Sequence, residues 1–146
     1  MAIVIGAIAM FAVAAPLIAE GDFFRKGKRQ TEAQRDAQIV LRAMARAVRE
    51  ASAYNVGTNT FTVPCGSVQF EAHPDGSFHQ HGCLGDVTLI DGTLNRSKVV
   101  EPTFSITPVT SKLVHIHLDV THRLRAGDPG IENEVLDTEL FMRNAA

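Results

Sequence analysis

The chain has 146 residues, a formal net charge of −2 and two cysteines. A charge this near neutral provides no overall field to draw in DNA, RNA or an acidic substrate, so no nucleic-acid partner is predicted from charge. With residues 1–30 set aside, the remainder is enough for one domain with one core and too short for two.

The chain opens on an uncharged run, Ala2 to Ala19, reading AIVIGAIAMFAVAAPLIA. At about 1.5 Å per residue a helix of this run covers roughly 27 Å, against a hydrocarbon core about 30 Å thick, which predicts a membrane-spanning anchor. A core helix of a small soluble domain should instead be apolar on one face only. A secretory signal peptide is the competing reading, since Ala12 to Ala19 offers small-residue cleavage sites and a mature start near Glu20 or Gly21. The basic segment that normally precedes such a core is missing.

Arg25, Lys26, Lys28 and Arg29 follow. Beside a span, basic residues favour the cytoplasmic side. Gly21 and Gly27 lower helix propensity by about 1 kcal/mol each, so a bend or melted stretch is expected between Gly21 and Gln30. From Thr31 the sequence TEAQRDAQIVLRAMARAVREASAY lacks Gly and Pro, and Thr31 with Gln34 resembles a capping box. A helix is predicted to near Tyr54. Its apolar stripe is Ala37, Val40, Leu41, Met44, Ala47, Val48 and Ala51, opposite a solvent face of Arg35, Asp36, Arg42, Arg46 and Arg49. Residues 1–30 therefore read as a hydrophobic anchor and basic hinge, and residues 31–146 as a head that includes the second half of the helix.

Beyond Gly57 the periodicity changes to two. Short strands are predicted at Phe61 to Val63, Val68 to Ala72, Ser77 to His81, Val87 to Ile90, Thr93 to Arg96, Phe104 to Thr107, Leu113 to His122 and Val135 to Arg143. Pro74-Asp75-Gly76 and Asp91-Gly92 supply the turn chemistry. Val114, Ile116, Leu118 and Val120 are expected to face the helix, and His115, His117 and Asp119 the other side. Arg125 to Asn133 is the longest expected loop. Cys65 and Cys83 are spaced so that a hairpin brings them together. As a disulfide they would add about 3 kcal/mol and require an oxidising compartment. A reduced core pair and metal ligation are the alternatives.

The whole pattern resembles the type IV pilin-like proteins, in particular minor pseudopilins of type II secretion and minor pilins. The resemblance rests on the apolar run with Pro16 near its end and on four segments in order. These are Leu89-Ile90-Asp91-Gly92-Thr93-Leu94-Asn95-Arg96, Phe104-Ser105-Ile106, Val114-His115-Ile116-His117-Leu118-Asp119-Val120, and the closing Thr138-Glu139-Leu140-Phe141-Met142-Arg143-Asn144. It implies an α+β fold, with a long amino-terminal helix, membrane-spanning in its first half, packed on an antiparallel β-sheet. It also implies a non-enzymatic filament subunit: single-pass in a bacterial inner membrane, head in the periplasm, later assembled into a periplasmic or surface filament. The implied partners are other pilin or pseudopilin subunits, an inner-membrane assembly platform and the lipid bilayer. Stalk packing would rest on Ile3, Ile5, Ile8, Phe11, Val13, Pro16 and Leu17, and head-to-helix packing on Leu41, Met44 and Val48. The family's basic leader and early glutamate have no counterpart here, and the family's usual mature start would fall a few residues before Met1.

Two His-x-His pairs, His79 with His81 and His115 with His117, each put both imidazoles on one face of a strand. With His73, Cys65 and Cys83 nearby, zinc or copper binding gives an alternative function, a membrane-anchored periplasmic metal-binding or sensory module. Asp128, Glu132, Glu134 and Asp137 could build a calcium site. Ser67, Ser105 and Ser111 lack a nucleophile-elbow context, and Asp119 beside His117 does not make a triad. No enzyme activity and no cofactor are predicted.

Overall fold

The structure is a computed structural model, which describes the backbone of residues 2–92, 99–123 and 132–144 and the side chains of residues 24, 26–92, 100–122 and 133–144. One helix, α1 (Ala2–Glu50), precedes eight strands: β1 (Ala53–Asn55), β2 (Thr60–Val63), β3 (Gly66–Ala72), β4 (Phe78–Gly82), β5 (Val87–Ile90), β6 (Val99–Pro108), β7 (Leu113–Arg123) and β8 (Glu132–Phe141). The strands form two antiparallel meanders, β1-β2-β3-β4-β5 and β6-β7-β8.

This corrects the expected architecture. The head is mostly β and is built from two sheets, where one sheet under a membrane-spanning helix was expected. Among the described residues no helix is long and apolar enough to cross a membrane. Along the described face of α1, Lys26, Lys28, Arg29, Glu32, Arg35 and Asp36 put a charge in every turn or two, and such spacing does not suit a hydrocarbon core. The single-pass inner-membrane placement and the transmembrane helix are therefore not supported.

The helix differs from expectation at both of its internal boundaries. It is helical throughout Gly21 to Gln30, with no melted stretch. Thr31 does not cap a new helix. Its hydroxyl donates to the Gly27 carbonyl one turn earlier, at 2.9 Å. The carboxyl end comes sooner than predicted, at Glu50, because Ser52 N–H bonds Thr62 C=O at 2.8 Å and starts β1. Tyr54 then stacks against Phe61 at 4.7 Å, a contact a helical turn there would forfeit. Sheet pairing overrides a favourable helix propensity at Ala51 to Tyr54.

One face of α1, Ala33, Ala37, Val40, Met44, Ala47 and Val48, is buried, as is Ala51 just past its end. It packs on β7 and β8. Val114, Ile116, Leu118 and Val120 of β7 are fully buried, as alternation along a half-covered strand requires. From the first sheet come Phe61, Val63, Val68, Phe70, Phe78 and Ile90. The aromatic rings form a chain, Phe61 to Phe70 at 6.3 Å, Phe70 to Phe78 at 6.4 Å and Phe78 to Phe104 at 5.2 Å, that carries the core of one sheet into the other. Phe61, Phe70 and Phe78, which are buried, each stabilise by about 1.5–3 kcal/mol, and the half-buried Phe104 by less.

β6 is longer than expected and contains Pro102, paired with Val120. It is an edge strand, so the missing N–H of Pro102 faces away from the ladder. The Pro74-Asp75-Gly76 turn is closed by Gly76 N–H to His73 C=O at 3.0 Å, and Gly76 sits at φ 83°. A Cβ on Gly76 would lie 2.0 Å from the Val100 carbonyl oxygen, and one on Gly92 2.1 Å from that of Asp75. Only glycine lets these three backbone segments meet at the seam between the sheets. The strand expected at Thr93 to Arg96 and most of the loop expected at Arg125 to Asn133 lie outside the described residues.

Candidate functional site

The side chains with chemical potential fall in three places: the outer face of the first sheet, the outer face of the second, and the buried seam under α1. The expected stalk residues Ile3, Ile5, Ile8, Phe11, Val13, Pro16 and Leu17 lie on α1, with side chains outside those described. Of the head-to-helix residues, Met44 and Val48 are fully buried and Leu41 is half-buried against the same core.

On the first sheet, Glu71 pairs with His79 and Gln69 with His81 across the β3–β4 ladder. Alternation along the strands turns Gln80 and Phe78 inward and leaves His79 and His81 outward. Glu71 lies outward on β3, and His73 follows two residues later on the same side. One ligand atom each of Glu71, His73 and His81 lies within 4.8 Å of the other two. His73 Nε2 is 3.8 Å from Glu71 Oε2.

His79 stands between them but is engaged elsewhere. Its Nε2 is 2.9 Å from Ser77 Oγ and its Nδ1 3.2 Å from Thr88 Oγ1. Its ring packs edge-on to His73 at 4.9 Å and stacks on His81 at 5.7 Å. The sequence motif His79-Gln80-His81 thus supplies one candidate ligand, Glu71 of β3 supplies the second and His73, just past the end of β3, the third. The missing signal was strand register, which a single sequence does not state.

The same corner is stiffened from both sides. Cys65, in the two-residue β2–β3 turn, and Cys83, one residue past β4, form a disulfide with Cα atoms 5.8 Å apart. This removes both sulfurs as metal ligands. Asp75 closes the β3–β4 turn, accepting from Ser77 Oγ at 2.6 Å and Ser77 N–H at 2.9 Å. Those two hydrogen bonds, the hydroxyl's first, hold the Asp75 carboxyl below its ordinary range.

On the second sheet, His115 and His117 are half-buried on the outward face of β7, and Asp137 of β8 is paired with His117. Asp137 Oδ1 is 2.8 Å from His117 Nδ1 and 3.4 Å from His115 Nε2. The carboxylate sits between the two imidazoles. The expected calcium set does not come together among the described residues. Glu134 and Asp137, an odd number of positions apart on β8, point to opposite faces. Asp128 and the side chain of Glu132 lie outside the described residues. Asp119 accepts from Thr121 Oγ1 at 3.2 Å.

The buried seam holds further residues that sequence reasoning missed, beside Glu71. Asp36, expected on the solvent face of the helix, is only 8 % exposed, and His122 of β7 is fully buried. His122 Nε2 lies 3.3 Å from Asp36 Oδ2, off the hydrogen-bond direction. Arg35 reaches the other carboxylate oxygen at 3.3 Å. At the far end of α1, Asn144 Nδ2 donates to the Glu50 carbonyl at 2.9 Å, so the chain's closing residues cap the helix. Tyr54 Oη donates to Asn59 Oδ1 at 2.7 Å, and partial burial raises its hydroxyl pKa.

A groove of about 690 Å³ runs between the sheets, lined by Phe70, Glu71, His73, Val100, Pro102 and Phe104 among others. Its polar rim is the same Glu71 and His73. Comparison with protein-family models, with curated proteins and with solved structures finds no match for this chain.

Proposed function

We propose that this chain is a non-enzymatic structural subunit of a filament, of the minor pseudopilin or minor pilin kind. The observation that carries the reading is α1 itself: 49 residues in one continuous helix, in which Ala33 is the first buried residue among those whose side chains are described. At about 1.5 Å per residue the rod is roughly 74 Å long, far more than the small head needs for its core. Its amino-terminal part carries the uncharged run Ala2 to Ala19, whose frequent Ala, with Gly6, allows helices to approach closely. The function assigned to this part is packing against the corresponding helices of other pilin-like subunits, with delivery by an assembly platform.

The head has features that suit transmission of force along such a rod. A disulfide ties the β2–β3 turn to the end of β4, and Asn144 fastens the chain's end to the carboxyl end of α1. A disulfide of this kind is stable in an oxidising environment, which is compatible with this reading.

The test is assembly in the native cell with tagged protein. Replacing Ile8 and Phe11 with Asp is expected to leave the head's thermal transition unchanged while abolishing co-isolation with paralogous subunits. Undiminished co-isolation of the doubly substituted chain would remove the assembly role from the apolar run.

A further inference from the structure

We propose that the outer face of the first sheet is a zinc-type divalent metal site formed by Glu71, His73 and His81, with Asp86 as a positioning residue. The ligand atoms of these three side chains already lie within 4.8 Å of one another, so small rotations bring them to a common ion. Two imidazoles and one carboxylate form a donor set suited to zinc and its neighbours, not to the hard calcium or magnesium ions. Three protein ligands leave a fourth tetrahedral position open to water.

The second sphere supports the assignment. His81 Nδ1 is 3.3 Å from Asp86 Oδ1, and that oxygen also accepts the Gly82 N–H at 3.1 Å. A carboxylate on one ring nitrogen fixes the tautomer and leaves Nε2 to the metal, the arrangement ligating histidines usually have. His79, held by Ser77 and Thr88, forms a wall against both ligand rings and limits their rotation. The disulfide at Cys83, two residues past His81, fixes the strand end that carries the ligand. His115 and His117 lack this construction: a single carboxylate, Asp137, contacts both.

The test uses the full chain, purified in detergent with its disulfide intact and titrated with Zn²⁺ against a chromophoric chelator. One equivalent is expected to bind and to raise the thermal transition. Co²⁺ in its place should give the visible absorption of a tetrahedral site. His73→Gln and His81→Gln should each weaken binding at least tenfold and abolish the thermal shift. Asp86→Asn should weaken it about ten- to a hundredfold without changing the stoichiometry. His115→Gln with His117→Gln should change neither value. All these side chains are at least partly exposed, and an unchanged metal-free thermal transition in each variant confirms that the fold is intact. The proposal is overturned if no Zn²⁺ binds, if binding survives His73→Gln combined with His81→Gln, or if it is lost with His115 and His117 instead.

Discussion

The two sheets of the head are held by different means. The first is secured locally: its strands follow one another through tight turns, a disulfide ties Cys65 to Cys83, and Asp75 locks the β3–β4 turn. The second is secured at a distance. β7 and β8 gain their cover from α1, more than sixty positions earlier, through aliphatic contacts and the Asp36–His122 approach. Sequence-local constraint and long-range burial thus divide the molecule, and perturbations should separate along the same line.

The largest effect is expected at the helix–sheet contact. Met44 is fully buried, so Met44→Asp places a charge in the core and should abolish the cooperative thermal transition. Leu41 is only half-buried, and Leu41→Asp should leave a folded but less stable head. Equal losses would mean that the helix face is not graded as described.

Next comes the staple of the first sheet. Cys65→Ser with Cys83→Ser should cost about 3 kcal/mol by denaturant titration. Hydrogen exchange should accelerate in β2 to β4 ahead of β7. Uniform acceleration across both sheets would contradict a division between them.

Smaller still is the buried polar contact under the helix. Asp36→Ala removes the carboxylate beside the buried His122 and opens a space there, and should cost about 1 kcal/mol. Because a buried polar pair is often no better than apolar packing, Asp36→Leu with His122→Leu should recover most of that loss. A double variant as unstable as Asp36→Ala would show that the pair contributes more than its replacement.

The least effect is expected from the Asp75 turn. Its carboxyl titrates lower in the folded chain than the ordinary value of about 3.9. Its contribution is therefore fully present above that value and is lost as the pH falls through the lower, folded-state one. Ser77→Ala removes the hydroxyl that does most of this, so acid unfolding of the variant should depend less on pH in that window. An unchanged acid profile would sever the link.

Much of the head was legible because alternation is a local property. The inward set Val114, Ile116, Leu118 and Val120 and the turn at Pro74-Asp75-Gly76 both follow from residue type and spacing. What escaped depended on partners far along the chain. Asp36 looks like a solvent-face residue on a helical wheel, and only the approach of His122 from β7 makes it buried. Tyr54 continues a favourable helical sequence but is drawn into β1 by Phe61. Pro102 argues against a strand until β6 is known to be an edge. The division into two sheets was not visible at all, since nothing at residue level marks β5 and β6 as ending one sheet and beginning another. Glu71 carried no signal as a ligand, because its proximity to His73 and His81 is a matter of register across β3 and β4.

We propose that α1 has two roles along its length, one face near its carboxyl end built into the head and its apolar beginning used for assembly. Scanning single cysteines from Ala2 to Ala19 in the native cell, followed by oxidation, tests it most directly, since Cys65 and Cys83 are already paired and contribute no background. Intermolecular cross-links are expected to recur every three to four positions, the period of one helix face. Cross-linking at no position, or equally at all of them, would contradict it.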